Sequence, residues 1–318
     1  MGEATLIRNP TPVDASPRPP QTRWMPDSPE VFAATLVALL AVRPAETRET
    51  FTGSRKSGGV GRVFGGQVIA QALAAAQHTV PGDRPPHSLH GYFLRGGSED
   101  HQIDYTVTRD LDGGSFSNRR VVASQNGVPI LSLTASFQRR EHGFHHQLPM
   151  PDVPGPESLP SEIELRLRHI ERMPEHMRAA MLRSPLIEIR PVDGEAWMGR
   201  MTEPARMAVW FRPHEQLLDD PAVHRAMVAY ASDYSLLLTC SLPYPLSWFD
   251  NSLVGASLDH AIWFHESEIK ADDWLLYVTD SPWAGHGRGF NRGRIYARDG
   301  QLLAEVAQEG VMRQRRPA

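Results

Sequence analysis

The chain has 318 residues, of which 41% are hydrophobic, 8% aromatic and 22% charged. That is enough apolar matter for a sizeable core, with a length prior of about two domains. The formal charge of −4 excludes a general electrostatic pull toward nucleic acid or an anionic membrane. The single cysteine, Cys240, excludes an intramolecular disulfide framework and any multi-cysteine metal site.

Prolines 10, 12, 17, 19, 20 and 26 predict an extended tail over residues 1–26. Asp27-Ser28-Pro29-Glu30 reads as a cap followed by a first-turn proline, and Phe32, Leu36, Leu39 and Leu40 then recur at helical spacing. The apolar stretch Val31 to Val42 is too short to cross a bilayer, which takes about 20 residues. The start lacks a basic segment, Leu6 stands where a myristoylation signal needs Ser or Thr, and the last three residues are no peroxisomal address. A cytoplasmic location without membrane insertion is expected.

Gly65-Gly66 then opens a proline-free helical segment, Gln67 to His78. Strand-like runs follow at Leu89–Leu94, Ile103–Thr108, Phe116–Ser124 and Ile130–Gln138, with Asp112-Gly113 and Asn126-Gly127 as turn signals. Prolines 149, 151, 154, 156 and 160 mark a linker over 141–160, which divides the chain into units at 27–140 and 161–318. In the second unit Asp220 caps a helix with Pro221 at its first position, and the helix is predicted to run to about Leu238. Strands are predicted at Ser257–His265, Trp274–Thr279, Arg288–Ala297 and Leu302–Met312.

The second half thus repeats the order of the first. Asn126-Gly127 and Asp299-Gly300 both read as hairpin turns, 173 residues apart, and that offset lays Asn118-Arg119 on Asn291-Arg292. An internal duplication is expected, each copy a long helix wrapped by a curved antiparallel sheet, an α+β fold.

Three polar residues sit where the pattern is apolar. In the last strand Leu302, Ala304, Val306, Gln308, Gly310 and Met312 share one face, and Leu303, Glu305, Ala307 and Glu309 the other. Gln308 therefore lies on the apolar face, where the first copy has Ala135; a buried amide needs hydrogen-bond partners, structural or functional. Between Ala226 and Leu238 the only acid is Asp233, either a buried carboxylate with a task or a capping residue near the helix end. Ser257, at the start of a predicted strand, adds a hydroxyl. Acid, hydroxyl and amide together can orient and deprotonate a water.

The segments Arg62 to Val68 (RVFGGQV), His87 to Arg95 (HSLHGYFLR), Ser115 to Val122, Leu133 to Gln138, Tyr230 to Asp233, Leu258 to His265, Trp274 to Tyr277 and Gln308 to Arg313 (QEGVMR) carry a resemblance. The chain resembles the acyl-CoA thioesterase II family over about residues 30–314. The resemblance implies a double hotdog in one polypeptide, an acyl-CoA substrate and no cofactor or metal. It also implies a dimer or tetramer of double hotdogs, and a water-activating Asp, Thr or Ser, and Gln that fall on Asp233, Ser257 and Gln308. Some members have threonine at position 257, so the hydroxyl is kept without the methyl that stiffens its rotamer. The expected reaction is direct hydrolysis of fatty acyl-CoA, with an oxyanion donor from Gly65, Gly66 or Gln67 at a helix start. These glycines could equally serve a tight turn.

The Gly58–Gly66 run lacks both the phosphate-loop ending and the dinucleotide spacing, and Ser117 breaks a nucleophile-elbow pattern. His142, His145 and His146 lie in the linker with only Glu141 nearby, and Cys240 lacks a nucleophile signature. Two alternatives remain at this level: a hotdog hydratase or dehydratase using Asp259-His260, and a non-catalytic acyl-CoA sensor, which would require a broken triad.

Overall fold

The computed structural model describes residues 32–33, 35–56, 61–182 and 185–315. The tail over 1–26, the Asp27–Glu30 cap, residues 58–60 of the glycine run and the C-terminal tripeptide lie outside them. The first half comprises β1 (Phe32–Ala33), α1 (Leu36–Leu40), β2 (Val42–Pro44), β3 (Thr50–Gly53), β4 (Arg55–Lys56), α2 (Gly65–Gln77), β5 (Pro86–Phe93), β6 (Ile103–Asp112), β7 (Phe116–Gln125) and β8 (Val128–Gln138). The second comprises α3 (Glu162–Arg168), α4 (Glu175–Met181), β9 (Ile187–Pro191), α5 (Gly194–Trp197), β10 (Arg206–Pro213), α6 (Pro221–Ser232), α7 (Leu236–Thr239), β11 (Leu253–Ser257), β12 (Asp259–Phe264), β13 (Leu275–Gly285), β14 (Arg288–Ala297) and β15 (Leu302–Gln314).

Thirteen strands make one antiparallel sheet in the order β2-β3-β6-β7-β8-β5-β12-β15-β14-β13-β10-β9, with β11 also paired to β15. The halves join where β5 meets β12, from Tyr92 opposite Asp259 to Ser88 opposite Trp263. Each half places its long helix inside its part of the sheet. Every α2 residue from Gly66 to Ala76 is buried, as is every α6 residue from Val223 to Ser232. A helix buried all round has no use for charges, which explains the absence of Asp and Glu from α2. This is the α+β double hotdog expected from the repeat and the resemblance.

The repeat has a finer register than one offset allows. Arg119 pairs with Ala135 in the first copy, whereas Asn291 pairs with Gln308 in the second. Arg119 and Asn291 are therefore structural equivalents, both fully buried, while Asn118 and Arg292 face outward. The cause is the turn. Gln125 and Val128 close over two residues, Asn126 (φ 50°) and Gly127 (φ 75°), but Ala297 closes on Gln301 over three. The identical Asn-Arg dipeptides are thus one residue out of step, although β8 and β15 keep the 173-residue offset.

Four other expectations are corrected. Of the apolar recurrence from Phe32 to Leu40, Phe32 belongs to β1 and the helix begins at Leu36, with Thr35 Oγ1 accepting from Ala38 N as its cap. Helix α6 ends at Ser232 instead of reaching Leu238, because Asp233 takes the C-cap and the chain turns before α7. The run Ser257–His265 is broken at Leu258, so Ser257 closes β11 and does not open a strand. A bulge between Ile295 and Tyr296 exchanges the faces at the start of β15: Leu303 enters the main core, and Leu302 packs on the outer side.

Residues 139–155 hold neither helix nor strand. This proline-rich segment lies over the outer face of the second half, where Met150 and Val153 pack on Trp210, Trp274, Leu276, Tyr296 and Leu302. Trp210 Nε1 donates to Pro154 O at 2.9 Å, and Gln147 Nε2 donates to Gly300 O at 2.8 Å.

Candidate active site

The end of α6 approaches the start of α2. Arg225 on α6 donates to Gln77 at the far end of α2 at 3.0 Å, so the two helices lie antiparallel. Close approach at the other end requires the glycine pair. A Cβ on Gly66 would stand 2.3 Å from Tyr230 O, and one on Gly65 would stand 2.6 Å from Asp233 Oδ2. Gly65 and Gly66 therefore let a helix N-terminus of the first copy meet the helix C-cap of the second.

Asp233 is the centre of this meeting. Ser257 Oγ donates to its Oδ1 at 3.1 Å, and Gln308 Nε2 donates to the same oxygen at 2.6 Å. The backbone N–H of Gly66 also donates to the carboxylate. Burial pushes the Asp233 carboxyl up to about 6, against the pull of the Gln308, Ser257 and Gly66 donors. The structure thus brings together all three residues singled out in the sequence, from the end of α6, the end of β11 and the middle of β15.

Of the three backbone donors considered for an oxyanion, two are already engaged. Gly66 N–H serves Asp233, and Gln67 N–H bonds to Phe64 O at 3.2 Å. The Gln67 side chain points away from the site and donates to Ser54 O at 3.2 Å. Gly65 lines the cavity in front of Asp233.

The sequence offered His260 only beside Asp259 for a hydratase and did not place it with the triad, behind which it stands, 1% exposed. Its Nδ1 lies 3.0 Å from Gln308 Nε2, and its Nε2 lies 2.8 Å from Ser232 Oγ. Burial pushes this imidazole down to about 3, so the ring is neutral. The signal was its parity: His260 shares the inward face of β12 with Ile262 and Phe264. The same parity corrects the Asp259-His260 pairing expected for a hydratase. Asp259 faces the other side and accepts from Glu309 N at 2.6 Å.

A cavity of about 580 Å³ opens in front of Asp233 and Ser257. Phe64, Phe93, Trp197, Leu238, Trp248 and Phe249 supply much of its apolar wall, and Arg62 and Arg95 stand on its lining. Glu162 and Arg166 of α3 form an ion pair in the same wall, with Tyr234 OH donating to Glu162 Oε2 at 3.2 Å. Burial raises the Glu162 carboxyl while Arg166 pulls it back. The corresponding place in the first copy differs. Ala135 stands where Gln308 does, and the helix cap equivalent to Asp233 is His78. Cys240 is buried away from the triad, and burial pushes its thiol up to about 11, a poor nucleophile.

Comparison with known proteins decides the family. Residues 54–138 match the family model described as acyl-CoA thioesterase N-terminal domain, and residues 154–312 match acyl-CoA thioesterase C-terminal domain. Acyl-coenzyme A thioesterase 8 of Homo sapiens is 40% identical over 262 residues, covering 79% of this chain and 81% of its own. The chain belongs to the acyl-CoA thioesterase II family. Its fold is similar to the crystal structure of an acyl-CoA thioesterase II, TesB2, from Mycobacterium marinum. That similarity has a TM-score of 0.71 at 35% identity and covers 89% of this chain and 98% of that one. A protein with a hotdog fold from Alicyclobacillus acidocaldarius shares the architecture alone, with a TM-score of 0.67 at 20% identity, covering 89% and 98%. No helix among the described residues of this thioesterase is long and apolar enough to cross a membrane.

Proposed function

We propose that this acyl-CoA thioesterase hydrolyses fatty acyl-CoA to the free acid and CoA by direct attack of a water that Asp233 activates. The observation that carries the reading is the convergence of Ser257 Oγ and Gln308 Nε2 on one buried carboxylate oxygen, beside an apolar cavity that Asp233 and Ser257 line. Both side-chain donors meet Oδ1, so Oδ2, which carries neither of them, keeps a lone pair to take a proton from water. Ser257 Oγ steers the water through its lone pairs. Gln308 Oε1, buried and without a partner among the described residues, is the remaining acceptor.

Water oxygen attacks the thioester carbonyl carbon as its proton passes to Asp233. The tetrahedral intermediate then expels the CoA sulfur, the C–S bond breaks, and the proton returns from Asp233 to the thiolate. A carboxyl near 6 suits both halves of this cycle: it accepts from water at neutral pH and gives the proton back to an alkyl thiolate, a stronger base than itself. The oxyanion is assigned to the N–H of Gly65 at the start of α2, where the helix adds its positive end. No acyl-enzyme forms. Intact-mass spectrometry during turnover is expected to show only the unmodified chain while thiol accumulates; an acyl adduct on Ser257 would overturn direct hydrolysis.

Association as a dimer or tetramer in the cytoplasm belongs to the same reading. The outer face of the shared sheet, with Tyr92 66% and Trp263 37% exposed, supports such contacts.

A further inference from the structure

Donor counting fixes the direction of the hydrogen-bond chain behind Asp233. Gln308 places one amide atom 2.6 Å from Asp233 Oδ1 and 3.0 Å from His260 Nδ1. An ionised carboxylate has no proton to give, so that atom is the amide nitrogen, not the amide oxygen. Both Nε2 hydrogens are then committed, one to Asp233 and one to His260, and His260 Nδ1 takes part as a lone pair. The ring proton sits on Nε2, 2.8 Å from Ser232 Oγ. Ser232 has a single hydroxyl proton, and Ala229 O lies 2.9 Å away to receive it. Each proton from Ala229 O to Asp233 has one place. The chain is anchored where α6 ends, since Tyr277 OH donates to Ser232 O at 2.8 Å.

We propose that His260 is a positioning residue for the thioester hydrolysis: its Nδ1 lone pair selects the Gln308 amide orientation that faces Nε2 to Asp233 and leaves Oε1 for the attacking water. The inference rests on the reading of Asp233 as the water-activating base. An amide turned over by 180° has nearly the same shape, so packing alone discriminates poorly between the two orientations. The turned amide would set Oε1 against the carboxylate and withdraw the hydrogen bond that orients it. The ionised Asp233 opposes the turn by itself, but once it has taken the proton of the water it can donate to Oε1, and a group at the Nδ1 position that accepts and cannot donate then still forbids the turn. Ser232 keeps it so, by accepting the hydrogen bond from Nε2–H and holding the ring in one tautomer.

The test measures thiol release from octanoyl-CoA by wild type, His260→Leu, His260→Asn, Ser232→Ala and Asp233→Asn, with melting curves for each. Leucine removes the acceptor and is expected to lower kcat on the order of 10²-fold, with KM within about twofold of wild type. Asparagine can place Oδ1 where Nδ1 stood, and is expected to return kcat to within about tenfold of wild type. Ser232→Ala preserves the packing but frees the tautomer, and is expected to lower kcat about tenfold, so the proposal stays testable if the leucine variant does not fold. Wild-type kcat in both His260→Leu and Ser232→Ala overturns it. So does an asparagine variant as slow as leucine when both melt like wild type, the result of a merely structural histidine. If Asp233→Asn keeps wild-type kcat, the reading of the site itself fails. If Asp233→Asn is inactive while His260→Leu is not, only this inference fails.

Discussion

At the scale of single residues, a carboxylate held out of water dominates the site. Asp233 ionises near 3.8 in a solvated chain and near 6 in the folded one, because burial outweighs its three donors. Two consequences follow with definite sign. As the proposed base, Asp233 would act when ionised, so kcat/KM is expected to fall as pH drops through about 6, read from a pH–rate profile of thiol release. For stability, the folded chain between 3.8 and about 6 holds a proton that the unfolded chain has lost, so stability falls as pH rises through that window. Above the window the charged form costs about 3 kcal/mol. Asp233→Asn is therefore expected to raise Tm at neutral pH, and much less below pH 3.8; an unchanged or lower neutral Tm would contradict the burial argument. Asp233 and Gln308 were legible in the sequence because each interrupts an apolar periodicity. Ser257 acquired meaning only beside them. His260 was not legible, since a histidine within Asp259-His260-Ala261 reads equally well as surface or core until strand parity is fixed.

At the scale of elements, two interruptions build the site. Helix α6 stops at Asp233, and the strand stops at Leu258, which parts β11 from β12 and leaves Ser257 at a strand end facing the acid. Neither break carries the glycine or proline that would announce it, so the sequence predicts a helix through Leu238 and one strand through His265. Tertiary hydrogen bonds decide otherwise: Leu258 N and O are taken by Glu309 and Phe93 across two neighbouring strands. The four strands following the first-copy helix were readable from alternation and turn residues. The strands β2, β3, β9 and β10 went unassigned, the first two being too short for periodicity. The meeting of α2 with Asp233 also yields a prediction. Gly65→Ala would press a methyl to 2.6 Å from Asp233 Oδ2, displacing the carboxylate from its donors. The overpacking is expected to cost about 1–3 kcal/mol and kcat on the order of 10²-fold, measured by denaturant melts and thiol release. Wild-type kcat in a folded Gly65→Ala variant would contradict the assigned close approach.

At the scale of the molecule, duplication has produced two differing halves within one continuous sheet. The acid, hydroxyl and amide come from the second half, while the helix start that faces the acid comes from the first. The reverse combination offers His78 and Ala135 instead of Asp233 and Gln308. One site per chain is expected, and titration calorimetry with a non-hydrolysable acyl-CoA analogue should give one analogue per chain; two would contradict it. The division of labour was partly visible in the sequence, where the first copy lacks the acid and the amide. The contribution of α2 was not, because it depends on how the two helices lie against each other. The most direct test of the account is thiol release by Asp233→Asn beside its affinity for the same analogue. In that variant kcat is expected to fall roughly 10²–10⁴-fold with binding retained. Undiminished kcat in a folded, analogue-binding Asp233→Asn variant would contradict it.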